Sequence, residues 1–381
     1  MLKLPLIVTI FIVLVTAVMM SYNFQQVSAQ VSNSTTTNST SVAAITVGGK
    51  ATGGIAYDPI HHTMYVSSMS ANTTSVINTT TLRPLPVLIP RVGHNPTFIA
   101  YDPIHHTMYV ASASGNTVSV INTTTNSVIG NPIQLPPSRA PTLSGNVSLF
   151  NGLFGITYDP IHKTMYVANI EPNTVSVINT TTNSVIGNPI PAGKQPQIAA
   201  YDPIHKTMYM TNIGQTGCTL HVGCVPAVAR PSTVTVINTT TNSVIGNIPV
   251  GLDPFGIAYD PIHHTMYVAN SGSNTVSIIN TTTNSVIANP VTGDNNATGI
   301  AYEPIHHRMY MTHNHDMLYS YYKNWHHKGS VTAISTAPPY TVIGRPLPAD
   351  IDPFLIAYDP LHQRMYVTYL DSDKVSVIDV K

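Results

Sequence analysis

The sequence predicts an all-β fold, a seven-bladed β-propeller with four antiparallel strands per blade and an N-terminal strand that closes the last blade. Three observations predict it. One block, YDPIHHTMYV and its near copies, begins at Tyr57, Tyr101, Tyr158, Tyr201, Tyr259, Tyr302 and Tyr358. The spacings between copies are 44, 57, 43, 58, 43 and 56 residues, so the basic unit is 43 or 44 and three units carry insertions. Periods of about 40–45 residues with strand-like content are the signature of propeller blades. The last unit stops at Lys381 after three strands, and the spare segment from Val42 to Val47 precedes the first block.

Each unit parses into the same four elements. In the unit near Pro254, FGIAY is apolar and β-branched, and Asp260-Pro261 ends it. Proline cannot donate to a strand ladder and suits the turn. TMYVAN is a second strand, SGSN a turn, and TVSIIN a third strand with alternating apolar residues. Asn280 to Asn284 form a hairpin turn, and SVIANPV is the fourth strand. The Val42 strand lies where a fourth strand should lie relative to the next block, so it is expected to complete blade seven and remove exposed sheet edges.

The chain has 381 residues, 43% of them hydrophobic and 8% charged, with sixteen basic and sixteen acidic residues. Balanced charge indicates no attraction to nucleic acid or to an acidic membrane surface. The first 29 residues read as a targeting segment. Lys3 is followed by an uncharged run from Leu4 to Met20, and Val27-Ser28-Ala29 fits the small-residue rule for signal cleavage. An uncleaved anchor is the rival reading, because seventeen residues is the lower edge for crossing a bilayer. Residues 30–41 are a Ser/Thr/Asn-rich linker, and 42–381 the propeller. Both readings export the chain, so it is expected to be secreted or held at the cell surface. In that compartment Cys218 and Cys224 are expected to pair as a local disulfide.

The MYVAN segments at Met165 and Met266, the VSVINTTTNSVIG runs from Val118 and Val175, and VGLDPFGIAYDP from Val250 carry a specific resemblance. They resemble the YVTN family of β-propeller repeats, found in archaeal surface-layer proteins and related exported bacterial proteins. The resemblance spans 42–381. It implies the propeller fold strongly and function weakly, because propellers host many activities. One departure is that five hairpins have Asn where the family usually has Asp: Asn78, Asn122, Asn179, Asn238 and Asn280. All five are Asn-x-Thr sequons, as are Asn33, Asn38, Asn72, Asn146 and Asn296. They are candidate glycosylation sites, although Asn and Thr are also good turn residues.

Propeller topology sorts the turns onto two faces. The Pro-Ile-His turns and the Asn-Thr-Thr hairpins share one. The insertions at 133–151, 213–231 and 313–329 share the other, where long loops on a rigid scaffold commonly bind partners. The third insertion holds His313, His315, Asp316, His326 and His327, candidate ligands for zinc or copper. It also holds Tyr319, Tyr321, Tyr322 and Trp325, which either bind a sugar or protein partner or pack the loop down. Each turn carries one histidine: His61, His105, His162, His205, His263, His306 and His362. A second follows in four blades: His62, His106, His264 and His307. Neighbouring blade turns are expected to stand roughly 10 Å or more apart, too far to share a metal through bonds of about 2 Å. The repeated histidine is therefore read as a turn residue.

No catalytic constellation is visible. Seven of the sixteen acidic residues are turn acids, only two are glutamates, and no nucleophile elbow or phosphate-binding glycine loop occurs. Fold analogy to lactonases and dehydrogenase subunits is all that points to catalysis. The expected function is an exported scaffold with a protein or glycan partner on the insertion face. The alternatives are a copper- or zinc-binding protein using the sixth-blade loop, and a propeller enzyme.

Overall fold

A computed structural model describes residues 42–49, 53–136, 152–214, 232–292, 294–314, 328–370 and 372–381. It contains seven four-stranded antiparallel sheets, and the described residues form no helix. The blades are 55–90, 94–134, 153–191, 196–249, 254–288, 297–351 and 353–379, the last completed by Val42–Thr46. That N-terminal strand pairs antiparallel with Lys374–Asp379, Val42 opposite Ile378 and Thr46 opposite Lys374. The ring thus closes through a sheet built from both ends of the chain, as the spare strand requires. Residues 1–41, which hold the expected targeting segment and linker, lie outside the described residues.

The second strand of each blade decides the packing. In blade five it is Thr265–Asn270, buried at all six positions. A strand sends alternate side chains to opposite faces, and both faces of these strands meet a neighbouring blade. Methionine turns toward the preceding blade and tyrosine toward the following one. Tyr65 of blade one packs in the same cluster as Met108 of blade two, and Tyr366 of blade seven packs with Met64 of blade one. Every seam repeats this pair. All seven methionines are fully buried, as are six of the seven tyrosines. Burial of one such side chain contributes about 1.5–3 kcal/mol, so the repeated Met-Tyr step is the main apolar adhesive between blades.

The turns explain the abundance of asparagine and histidine. The residue after each turn histidine adopts a left-handed backbone: His62, His106, Lys163, Lys206, His264, His307 and Gln363 have φ of 51–55°. The closing residue of the outer hairpins does the same at Asn126, Asn183, Asn242 and Asn284. Asparagine tolerates this region better than most residues.

The axis is filled. Phe98, Phe154, Phe255 and Phe354 come from blades two, three, five and seven, and form a closed cycle of ring contacts. Centroid distances are 4.7 Å for Phe98–Phe154, 5.7 Å for Phe154–Phe255, 5.3 Å for Phe255–Phe354 and 6.5 Å for Phe98–Phe354. Blades three and five are not neighbours, nor are five and seven, so these rings meet only across the centre. Around them the inner strands approach closely. A Cβ on Gly256 would meet the Thr298 carbonyl at 2.3 Å, which is why that position is glycine.

Candidate functional site

The three insertions leave the propeller at one face, as expected. The first joins blades two and three. The second and third join the middle strands of blades four and six. Cys218 and Cys224 lie outside the described residues, as do His315, Asp316, Tyr319, Tyr321, Tyr322, Trp325, His326 and His327. His313 is described. It ends the second strand of blade six, Arg308–His313, and is fully buried. Its Nε2 is 2.6 Å from the Thr332 hydroxyl and its Nδ1 is 3.2 Å from the Asn295 carbonyl oxygen. One nitrogen meets the third strand of the blade and the other the loop that enters it. Among the described residues, no group of three or more His, Cys, Asp or Glu is placed to hold a metal.

The sequons divide in the same way. Asn33, Asn38 and Asn146 lie outside the described residues. The five hairpin asparagines share one geometry. Asn122 Oδ1 accepts the amide hydrogens of Thr124 and Thr125, both at 2.9 Å, and Asn78, Asn179, Asn238 and Asn280 repeat this turn. The oxygen closes the turn, and the amide nitrogen, where a glycan attaches, takes no part in it. Asn72 and Asn296 sit in left-handed turns on the insertion face.

The opposite face carries an organised set of polar groups. Each turn acid is fully buried. Asp58 Oδ1 accepts the amide hydrogens of Ile60 and His61, at 2.9 and 3.3 Å. Its Oδ2 is 2.7 Å from His61 Nδ1. The acid–histidine distance is 2.6–2.7 Å in six blades and 3.0 Å for Glu303–His306. The phenol of the next blade's turn tyrosine faces the same carboxylate: Tyr101 at Asp58, Tyr158 at Asp102, Tyr259 at Asp202 and Tyr302 at Asp260. Tyr201 at Asp159, Tyr358 at Glu303 and Tyr57 at Asp359 complete the ring.

The electrostatics follow from this wiring. Burial alone would raise the carboxyl of Asp58. Hydrogen bonds from His61, Thr123, the Ile60 amide and Tyr101 outweigh it and hold Asp58 below its ordinary value. Asp102 and Asp202 are lowered by the same balance. Burial, reinforced by the adjacent carboxylate, pushes the Tyr101, Tyr158 and Tyr302 phenols far up, so they remain donors.

One expectation about this face is corrected. Histidines of neighbouring blades do meet: the rings of His61 and His106 are 6.4 Å apart between centroids, and those of His263 and His307 are 6.5 Å apart. Each contact joins the first histidine of one turn to the second histidine of the next blade's turn, a reach that turn-to-turn spacing does not include. The doublets at 61–62, 105–106, 263–264 and 306–307 were the available signal.

No family model matches the chain, and no curated protein matches it. Solved structures do. The chain is similar to a chain of Kuenenia stuttgartiensis hydrazine synthase, at 18% identity and a TM-score of 0.66, covering 92% of this chain and 99% of that one. It is similar to a chain in the crystal structure of a mitotic checkpoint complex, at 9% identity and a TM-score of 0.69, covering 94% and 97%. At such identities the likeness is one of architecture, and the shared architecture is the seven-bladed propeller.

Proposed function

We propose that this protein is an exported cell-surface propeller, a binding and structural scaffold of the YVTN kind associated with a surface layer, whose partner docks on the insertion face. The observation that carries the reading is the contrast between the two faces. All three insertions leave one face, while the other is a repeating set of turns. Four phenylalanines fill the axis, the place where a propeller could hold a small ligand. Surface recognition by loops is what remains available to such a scaffold. The uniform hairpin turns also leave five sequon nitrogens uninvolved in the turn, which suits attached glycan on an exported protein.

The test replaces residues 137–151, 215–231 and 315–327 with short Gly-Ser turns in the full chain. Surface retention is then followed with a membrane-impermeant amine label on intact cells and by mass analysis of the hairpin peptides. The reading expects the intact chain to be labelled and retained, and the shortened chain to be released with an unchanged melting temperature. An intact chain shielded from the label, or a shortened chain retained equally well, overturns it.

A further inference from the structure

We propose that the blade one–two and blade five–six seams each form a transition-metal site, made by His61 with His106 and by His263 with His307. The ligands come from different blades. His61 belongs to the turn of blade one and His106 to that of blade two, and both are partly exposed. A metal bonded at about 2 Å to two imidazoles holds their centres about 5 Å apart. The observed 6.4 and 6.5 Å therefore need a closure of about 1.5 Å, within reach of side-chain rotations on an open face.

The wiring beneath the rings is the stronger argument. A metal-binding histidine ordinarily donates its other ring hydrogen to a carboxylate or similar group, which fixes the tautomer and leaves the ligating nitrogen with a lone pair. Here a buried carboxylate does this for His61, and the tyrosine beside that carboxylate is placed to do it for His106. His61 Nδ1–H donates to Asp58 Oδ2 at 2.7 Å, so His61 Nε2 carries the lone pair. The Tyr101 phenol lies beside the same carboxylate. Its hydroxyl lies 3.5 Å from His106 Nδ1; when it accepts the Nδ1 hydrogen, His106 Nε2 is left with a lone pair. The Thr124 hydroxyl lies 3.4 Å from His61 Nε2, and as a hydroxyl it can donate to the lone pair.

The second seam repeats this wiring with shorter contacts. His263 Nδ1 is 2.6 Å from Asp260 Oδ2, Tyr302 faces Asp260, and His307 Nδ1 is 3.1 Å from the Tyr302 hydroxyl. Two neutral imidazoles, with water completing the shell, suit copper(II), nickel(II) or zinc. The four–five seam has the same wiring, with His205 on Asp202 and His264 on Tyr259, and the seven–one seam pairs His362 with His62, but among the described residues the rings make contact only at the two proposed sites. The remaining three seams lack the second histidine. Blades three and four carry Lys163 and Lys206 in place of the second histidine, and blade seven carries Gln363.

The experiment titrates the untagged full chain with copper(II), following stoichiometry by competition with a chelator and nitrogen coupling by electron paramagnetic resonance. His106→Gln and His307→Gln are the test variants, because glutamine already occupies this left-handed position at Gln363 with φ 54°. Each is expected to remove one equivalent of copper with its two-imidazole signature. Tyr101→Phe keeps both rings and is expected to weaken the blade one–two site about tenfold. His264→Gln, at the wired seam whose rings make no contact, is expected to leave the copper stoichiometry unchanged. Copper binding that survives both glutamine variants, or that vanishes only when His315, His326 and His327 are replaced, overturns the proposal. So does the loss of an equivalent in His264→Gln.

Discussion

The phenol of Tyr109 in blade two donates to Asn183 Oδ1 in the outer hairpin of blade three at 2.5 Å, and also lies 3.2 Å from the Thr180 carbonyl oxygen. Tyr65–Asn126, Tyr166–Asn242 and Tyr209–Asn284 repeat the contact at 2.5 Å. Buried tyrosine therefore ties the middle of one blade to the turn of the next. Tyr109→Phe is expected to lower stability by about 1 kcal/mol, the usual net worth of a buried hydrogen bond. Asn183→Gly keeps the left-handed backbone, at φ 53°, and should cost a similar amount. In a urea double-mutant cycle the two losses should not add. Full additivity would show that the contact carries no energy.

The buried acids make stability depend on acid pH. Asp58, Asp102 and Asp202 have carboxyls held below their ordinary value, 3.8, in the folded protein. The unfolded chain binds protons first as pH falls, so unfolding gains there. The contribution is full above the unfolded value and is lost as pH drops through the lowered folded values. Melting temperature should hold steady down to about pH 4 on this account and fall steeply below it. Asp102→Asn should reduce that acid slope while lowering stability at pH 7. An acid limb unchanged in Asp102→Asn would contradict this.

Ring closure rests on a charged clamp as well as on the N-terminal strand. Arg364 Nε donates to Asp379 Oδ1 at 2.9 Å, and its Nη1 donates to the Thr79 carbonyl of blade one at 3.1 Å. Arg364→Ala is expected to cost about 1–2 kcal/mol, since hydrogen bonds to charged groups are worth more than neutral ones and partial exposure screens the ion pair. Hydrogen exchange should quicken first in Lys374–Asp379 and Val42–Thr46. Uniform quickening over all blades would place the effect elsewhere.

The phenylalanine cycle should behave as core. Phe255→Ala leaves a cavity between Phe154 and Phe354 and is expected to cost about 3–5 kcal/mol. Phe255→Leu, which refills most of the space, should recover much of that. Chemical denaturation reads both. A loss below about 1 kcal/mol for alanine would mean that the axis is not packed as described.

Much of the fold was legible from the amino-acid sequence, because its information is local and repeated. The 43-residue period, the alternation within TVSVIN and the proline after each turn acid determined the strands. Counting seven blocks and one spare strand determined the ring and its closure. The seams were not legible in the same way. Asp58 reads as a turn acid, and only folding brings Tyr101 from 43 residues away to the same carboxylate. That His313 ends a strand of blade six and is fully buried was likewise not legible. The phenylalanine cycle escapes any repeat pattern, because Phe98 stands four residues before its turn acid and the other three stand five before theirs. Periodicity reports which side of a strand a residue faces. Which residue of another blade it meets depends on how the sheets close around the axis, and that was decided by tertiary structure alone.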